Sequence, residues 1–321
     1  MKNIFTKGLV LLLLLQIPAS YIAWKANNDP LPITSSVVVE MPKGGNITAL
    51  AKNLQKEGVV KYPLWVKLVS RLYGYDKRLK AGEYRLVAGM SLTDVLDKVS
   101  SGKVVLHRLT LPEGLTTAQM LKLIEADNML SGTVAEPVKE GELLPETYTF
   151  HKNTSRNEVI KQAKAALQNA LQKIWKERAE NLPLNSPEEL LILASIIEKE
   201  TSVTSERGKI SSVFVNRLNK GMLLQTDPTV IYALTEGKSE LGRSLKRADL
   251  SVDSPYNTYK YAGLPPSPIC NAGVQALYAA AHPENTPYLY FVASGDGDHN
   301  FAETLSEHNQ NVQNWLAKIR K

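Results

Sequence analysis

Residues 190–201, LLILASIIEKET, commit this chain to a helix that is apolar almost throughout, capped at its start and ended by acids. Ser186 stands as the N-cap, Pro187 at the first helical position and Glu189 at the capping-box position, so the start of the helix is well marked. At about 3.6 residues per turn, Glu198 shares a face with Leu190, Leu191 and Ala194 and is expected to be part-buried. Burial disfavours the charged carboxylate, which raises its pKa toward the range of a general acid. The same wheel sets Glu200 beneath Leu193, Ile196 and Ile197, so helix geometry alone does not choose between the two acids. In the reading without chemistry, both glutamates end a core helix and pair with Lys199, Arg207 or Lys209.

The 321 residues suffice for a sizeable core and for two domains. A content of 43% hydrophobic and 22% charged residues is that of a globular protein and excludes general disorder. A net charge of +6 suits an anionic polymer or a membrane surface, although most such cations form solvated faces. Cys270 is the only cysteine, so there is neither zinc-type spacing nor an intrachain disulfide. The compartment is read instead from residues 8–24, an uncharged run between Lys7 and Lys25. Tyr21 and Trp24 suit an interfacial aromatic belt and favour an uncleaved membrane anchor. Ala19, Ser20 and Ala23 provide the small residues of the rival, a cleaved signal peptide.

The expected organisation is α+β: residues 1–25 a cytoplasmic tip and transmembrane anchor, 26–35 a proline-containing linker, 36–103 a small α+β unit and 104–321 a larger mixed α/β region. In the small unit, strands are expected over 37–41 and 83–87, and helices over 47–57, 63–73 and from Ser91, whose capping-box partner is Asp94. Beyond it, Thr116 and Gln119 cap another helix, 140–150 reads as an ordered loop and 156–181 as a long polar helix. A short helix capped by Asp227 runs to Tyr232, a strand covers 287–294 and an amphipathic helix closes the chain over 304–318.

Two polar constellations follow the Glu198 helix. Gln225, Thr226 and Asp227 offer hydrogen-bonding groups at a helix start, and Asn257 and Tyr259 lie in YNTY, whose two rings with polar tips suit the face of a sugar. Asp296, Asp298, Asn300 and Glu307 imitate the spacing of a calcium loop, but Phe301 occupies the place of its required glycine. The histidines are scattered, so no metal cluster is expected, and His299 is better read as a structural or substrate contact.

The ordered series ASIIEKET, VFVNRL, LQTDPTVIYAL, YNTY, GLPPSPICN, AAAHP, YLYFVAS and HNF closely resembles the endolytic murein transglycosylases, the YceG-like or MltG family, over essentially the whole chain. The resemblance implies a single-pass inner-membrane protein whose catalytic domain faces the periplasm behind a LysM-like subdomain. It implies Glu198 as the catalytic acid, and Glu200 reads as an orienting or ion-paired residue rather than a second catalyst. Glu140 and Tyr148 match the family's EG-L-P-TY loop and are expected to border the same cleft. The implied reaction cleaves the MurNAc–GlcNAc bond inside nascent glycan strands and leaves 1,6-anhydro-MurNAc ends, with no cofactor and no metal. The implied partners are peptidoglycan strands, the inner membrane and penicillin-binding synthases, and no nucleic acid. A non-catalytic peptidoglycan-binding scaffold and a water-using muramidase are the alternatives. Leu144, Glu146, Ser267 and Ala272 depart from the usual family residues, in loops rather than at the acid.

Overall fold

In VVVEM, alternate residues face one way, and Val39 and Met41 are buried along the inner side of β1 (Val37–Met41). The strand pairs antiparallel with β2 (Gly82–Leu86), setting Val39 opposite Tyr84 and Val37 opposite Leu86. Between them lie α1 (Ile47–Lys56), whose first N–H groups are taken by the Asn46 side chain, and α2 (Pro63–Tyr73), which starts on proline and stops at Gly74 in the left-handed conformation. Then α3 (Leu92–Ser101) opens on the reciprocal Ser91–Asp94 capping box that the sequence announces. Leu50, Leu54, Val66, Val69, Tyr84 and Leu96 are at the centre of this unit's core.

The computed structural model describes residues 20–319, of which 20–28 are helical. Most of the expected anchor, residues 1–19, lies outside the described residues. No helix among the described residues is long and apolar enough to cross a membrane. The described residues divide into two compact units, the first running to His107 together with Thr149–Asn153, the second Arg108–Tyr148 and the chain from Thr154 onward. The short return Thr149–Asn153 has no signature in the sequence.

The second unit is built on helices. α4 (Thr117–Ala126) starts from the expected Thr116–Gln119 capping box. It is followed by α5 (Arg156–Lys176), α6 (Pro187–Glu200), α7 (Arg207–Asn219), α8 (Asp227–Thr235), α9 (Val274–Ala281) and α10 (Leu305–Ile319). Among the described residues its own strands form only small pairs. After β3 (His107–Thr110), β4 (Leu130–Ser131) runs parallel to β6 (Thr154–Ser155), and β7 (Tyr290–Ala293) antiparallel to β8 (His299–Ala302). The fold is mixed α and β, but this unit's core is helical rather than a sheet covered by helices.

At its centre α6 is buried on every side, from Leu190 through Ile197, against α5, α7 and α9. A helix apolar all round is an interior helix, which removes the single-face assumption behind the wheel drawn from sequence. The polar groups inside are used to tie it down. Buried Ser195 donates to the Ile192 carbonyl and accepts from the Ile269 N–H at 3.1 Å, pinning the proline-rich segment along the helix. The α7 and α9 helices carry no cap signal strong enough to mark them in the sequence. The expected loop 140–150 ends as strand β5 (Thr147–Phe150), and α5 stops at Lys176, short of the expected 181.

Candidate functional site

The chain leaves α6 at Glu200, so its last turn sets Glu198 and Glu200 facing different surroundings. Glu198 is sealed in, with 5% of its side chain exposed. One carboxylate oxygen accepts from Arg207 at 2.9 Å and the other from the Gly273 backbone N–H at 2.9 Å. Arg207 also reaches Glu113 at 3.5 Å. Gly273 makes this approach possible, since a Cβ there would lie 1.8 Å from the Glu113 carboxylate. Burial pushes the Glu198 carboxyl up, the Gly273 N–H and Arg207 pull it back, and Glu113 pushes it further up. Both oxygens accept from donors, one of them a guanidinium that holds its own proton, so the arrangement is that of a buried ion pair.

Glu200 is placed differently. It lines a cleft of about 530 Å³ together with Arg217, Gln225, Asp227, Tyr259 and His299, and Tyr290 and His308 complete one wall. Glu198 is not among the lining residues. The Thr226 hydroxyl donates to Glu200, and among the described residues no cation forms an ion pair with it. Its carboxyl is pushed up to about 7, first by burial and then by the negative charge of Asp227, against the Thr226 hydrogen bond and His299. A carboxyl poised there can hold its proton near neutral pH and still release it.

The cleft walls follow from short-range sequence features. Gln225 sits at φ 52°, a left-handed backbone that turns the chain from α7 into α8 and presents its side chain to the cleft. Asp227 opens α8 but does not cap it with its side chain, in contrast to the sequence expectation. Its carboxylate instead accepts from the Tyr259 hydroxyl at 2.6 Å, which, after burial, holds that phenol well above its usual range. His299 gives its backbone N–H to Glu206 at 2.8 Å, and its Nδ1 lies 2.9 Å from the same carboxylate. A carboxylate at Nδ1 makes that nitrogen the donor and fixes the ring.

Four expected site residues thus converge around Glu200: Gln225, Asp227, Tyr259 and His299. Thr226 stands behind them as its hydrogen-bond donor. Three others do not join them. Asn257 is fully buried and serves backbone, donating to the carbonyls of Leu250 and Val252 and accepting from the Tyr259 N–H. Its side chain shapes the loop that carries Tyr259. Tyr148 is buried and donates to the Leu144 carbonyl at 2.7 Å, and burial pushes its hydroxyl up to about 12, so it is a core residue and not a cleft wall. Glu140 accepts from the N–H of Thr117 at 2.7 Å and sits beside Asn271, which bonds Leu115, Thr117 and Leu143. That buried polar knot holds the loops on the Glu198 side of α6. Glu198 likewise stands outside this cleft, in the ion pair with Arg207 that the reading without chemistry describes.

Sequence reasoning passed over Arg217 and Glu206. Arg217 is buried in the wall, where its guanidinium donates to the carbonyls of Leu223, Leu224 and Leu289 and lies over the Tyr290 ring at 5.2 Å. Its neighbour Asn216 donates to the carbonyls of Thr286 and Tyr288. The NR pair of VFVNRL therefore staples α7 to the segment that leads into the strand of the far wall. An arginine beside an asparagine on an otherwise buried helix was the available signal.

The chain is similar to known proteins over nearly its whole length. It is 35% identical to an endolytic murein transglycosylase of Bacillus subtilis, over 88% of this chain and 86% of that protein. It is 32% identical to one of Streptococcus pneumoniae, over 88% of this chain and 59% of that longer protein. A crystal structure of a YceG-like protein from Listeria monocytogenes superposes with a TM-score of 0.53 at 33% identity, covering 86% of this chain and 98% of that one. The YceG-like family model matches residues 39–314, and the chain belongs to the YceG-like family.

Proposed function

We propose that this protein is an endolytic murein transglycosylase in which Glu200, rather than Glu198, is the proton donor. The observation carrying the assignment is the Glu200 carboxyl, free of any ion-paired cation among the described residues, in the wall of the Tyr259–Asp227–Gln225 cleft. Protonated, Glu200 gives its proton to the oxygen linking MurNAc to GlcNAc as oxocarbenium character develops on MurNAc. The C–O bond breaks and GlcNAc leaves with a new hydroxyl. The carboxylate then takes the proton from the 6-hydroxyl of the same MurNAc, whose oxygen closes the 1,6-anhydro ring. Atoms and charges balance without water.

Asp227 lines the same cleft, and two carboxyls flanking a bond is the layout of a water-using glycosidase. Against that use, its Oδ1 is engaged by Tyr259. Mass spectrometry of digested glycan separates the readings: anhydro-MurNAc ends support the lyase, reducing ends the muramidase and intact glycan a binding scaffold. Loss of anhydro ends in Glu200→Gln with retention in Glu198→Gln is the expected result. The opposite pattern overturns the assignment.

We further infer that residues 8–24 anchor the chain in the inner membrane with the catalytic unit in the periplasm, supported by the uncharged run between lysines. The first unit is read as LysM-like, a glycan-binding module, supported by its β1–α1–α2–β2 order. Penicillin-binding synthases are the expected neighbours at the nascent strand, and crosslinking in intact cells tests that.

A further inference from the structure

Helix α2 has two apolar sides. Val66 and Val69 face the core of the first unit and are fully buried. Leu64, Leu68 and Leu72, four residues apart and therefore on one side, are 65%, 46% and 49% exposed. Leu64, Trp65 and Leu68 line a groove of about 640 Å³ whose other wall includes Tyr21, Ile22 and Leu31. A leucine stripe continuous with an apolar groove is a surface built to be covered.

Its surroundings indicate what covers it. Tyr21 and Trp24, on the helical residues 20–28, are 60% and 59% exposed, and the chain before them is the uncharged run beginning at residue 8. Lys25 and Lys61 line the groove, and Lys67 and Arg71 fall beside the leucine stripe on the helical wheel. Residues 58–73 contain no acid. Leucines set between aromatic and basic residues match the interfacial layer of an anionic bilayer.

We propose that this face of the first unit lies in the membrane interface, with Leu64, Leu68 and Leu72 at the acyl boundary and Lys61, Lys67 and Arg71 against anionic headgroups. The inference rests on the reading of residues 8–24 as an anchor, which brings the face to the bilayer at its own point of entry. The linker does not then leave the first unit free above the membrane, because α2 is a second attachment.

The test uses the full-length protein with Leu68→Cys carrying an environment-sensitive fluorophore, reconstituted in phosphatidylglycerol–phosphatidylethanolamine vesicles. Cys270 is buried and does not compete for the label. Flotation first reports whether the chain is anchored. In floated protein, the expected result is quenching by spin-labelled lipid and protection from aqueous iodide. Adding Lys67→Glu and Arg71→Glu should weaken the face's lipid contact by roughly five-fold per cation removed. Quenching by iodide in floated protein overturns the proposal while the anchor stands. Protection from both quenchers also overturns it, pointing to a protein cover such as a second copy. A chain that does not float overturns the anchor and the proposal together.

Discussion

Glu198 and Glu200 are separated by one lysine, yet the two sides of the helix end they occupy have little in common. On the Glu198 side the polar groups are saturated: Arg207, Gly273 and Glu113 close around the carboxylate, and the Asn271–Glu140 knot ties the neighbouring loops. On the Glu200 side a hydroxyl and a hydrogen-bonded tyrosine–aspartate pair face open space. Burial raises both carboxyls. What separates structure from chemistry here is whether a buried acid's proton has somewhere to go, and a perturbed pKa alone does not tell.

Removing the proposed proton donor should have the largest effect. Glu200→Gln is expected to lower anhydro-end formation by about 10²- to 10⁴-fold, read by mass spectrometry, with thermal melting kept or raised. Glu200's folded value of about 7 lies above its ordinary 4.5, so folding takes up a proton between those values. The stability this contributes is full below about 4.5 and lost as pH rises through about 7. Glu200→Gln should flatten that part of the melting-versus-pH curve, and an unchanged slope would break the contrast from the Glu200 side.

Next in size is Arg207→Met, which leaves a buried carboxylate without its cation and should cost about 3–5 kcal/mol of stability, measured by denaturant titration. Adding Glu198→Leu should recover much of the loss, because the stranded charge is then gone. Smaller still, Glu198→Gln keeps an acceptor for the Gly273 N–H but weakens the bond from Arg207. A loss of about 1–2 kcal/mol is expected, with the rate per folded molecule near that of the parent. A large fall in that rate would return Glu198 to the chemistry.

The smallest effect is a displacement along the pH axis. Asp227 raises the Glu200 carboxyl, so Asp227→Asn should lower it and move the alkaline limb of kcat/KM to lower pH. The sign distinguishes this from lost substrate binding, which reduces the profile without moving it. Glu198→Gln should leave the limb where it is.

Much of this was legible in the chain. The cap at Ser186, the capping boxes at Ser91 and Thr116, and the polar clusters at 225–227 and 256–259 were readable because each depends on residues within a few positions of one another. Glu189 shows the edge of such reading: its carboxylate bonds Asn185 rather than completing the box at Ser186. Asn257 and Tyr259 share a motif but not a role, since one side chain holds its loop from inside while the other reaches Asp227.

The sequence by itself determined that an acid-ended apolar helix exists, that it is followed by ordered polar motifs, and that the whole resembles one family. Local propensity and patterning act over a few residues and leave their marks in order along the chain. Only the tertiary structure decided which glutamate is sealed and which faces the cleft. That choice depends on Arg207, Gly273, Thr226 and Tyr259, brought to the two glutamates by folding from 9 to 75 residues away in sequence, and a helical wheel contains none of their distances.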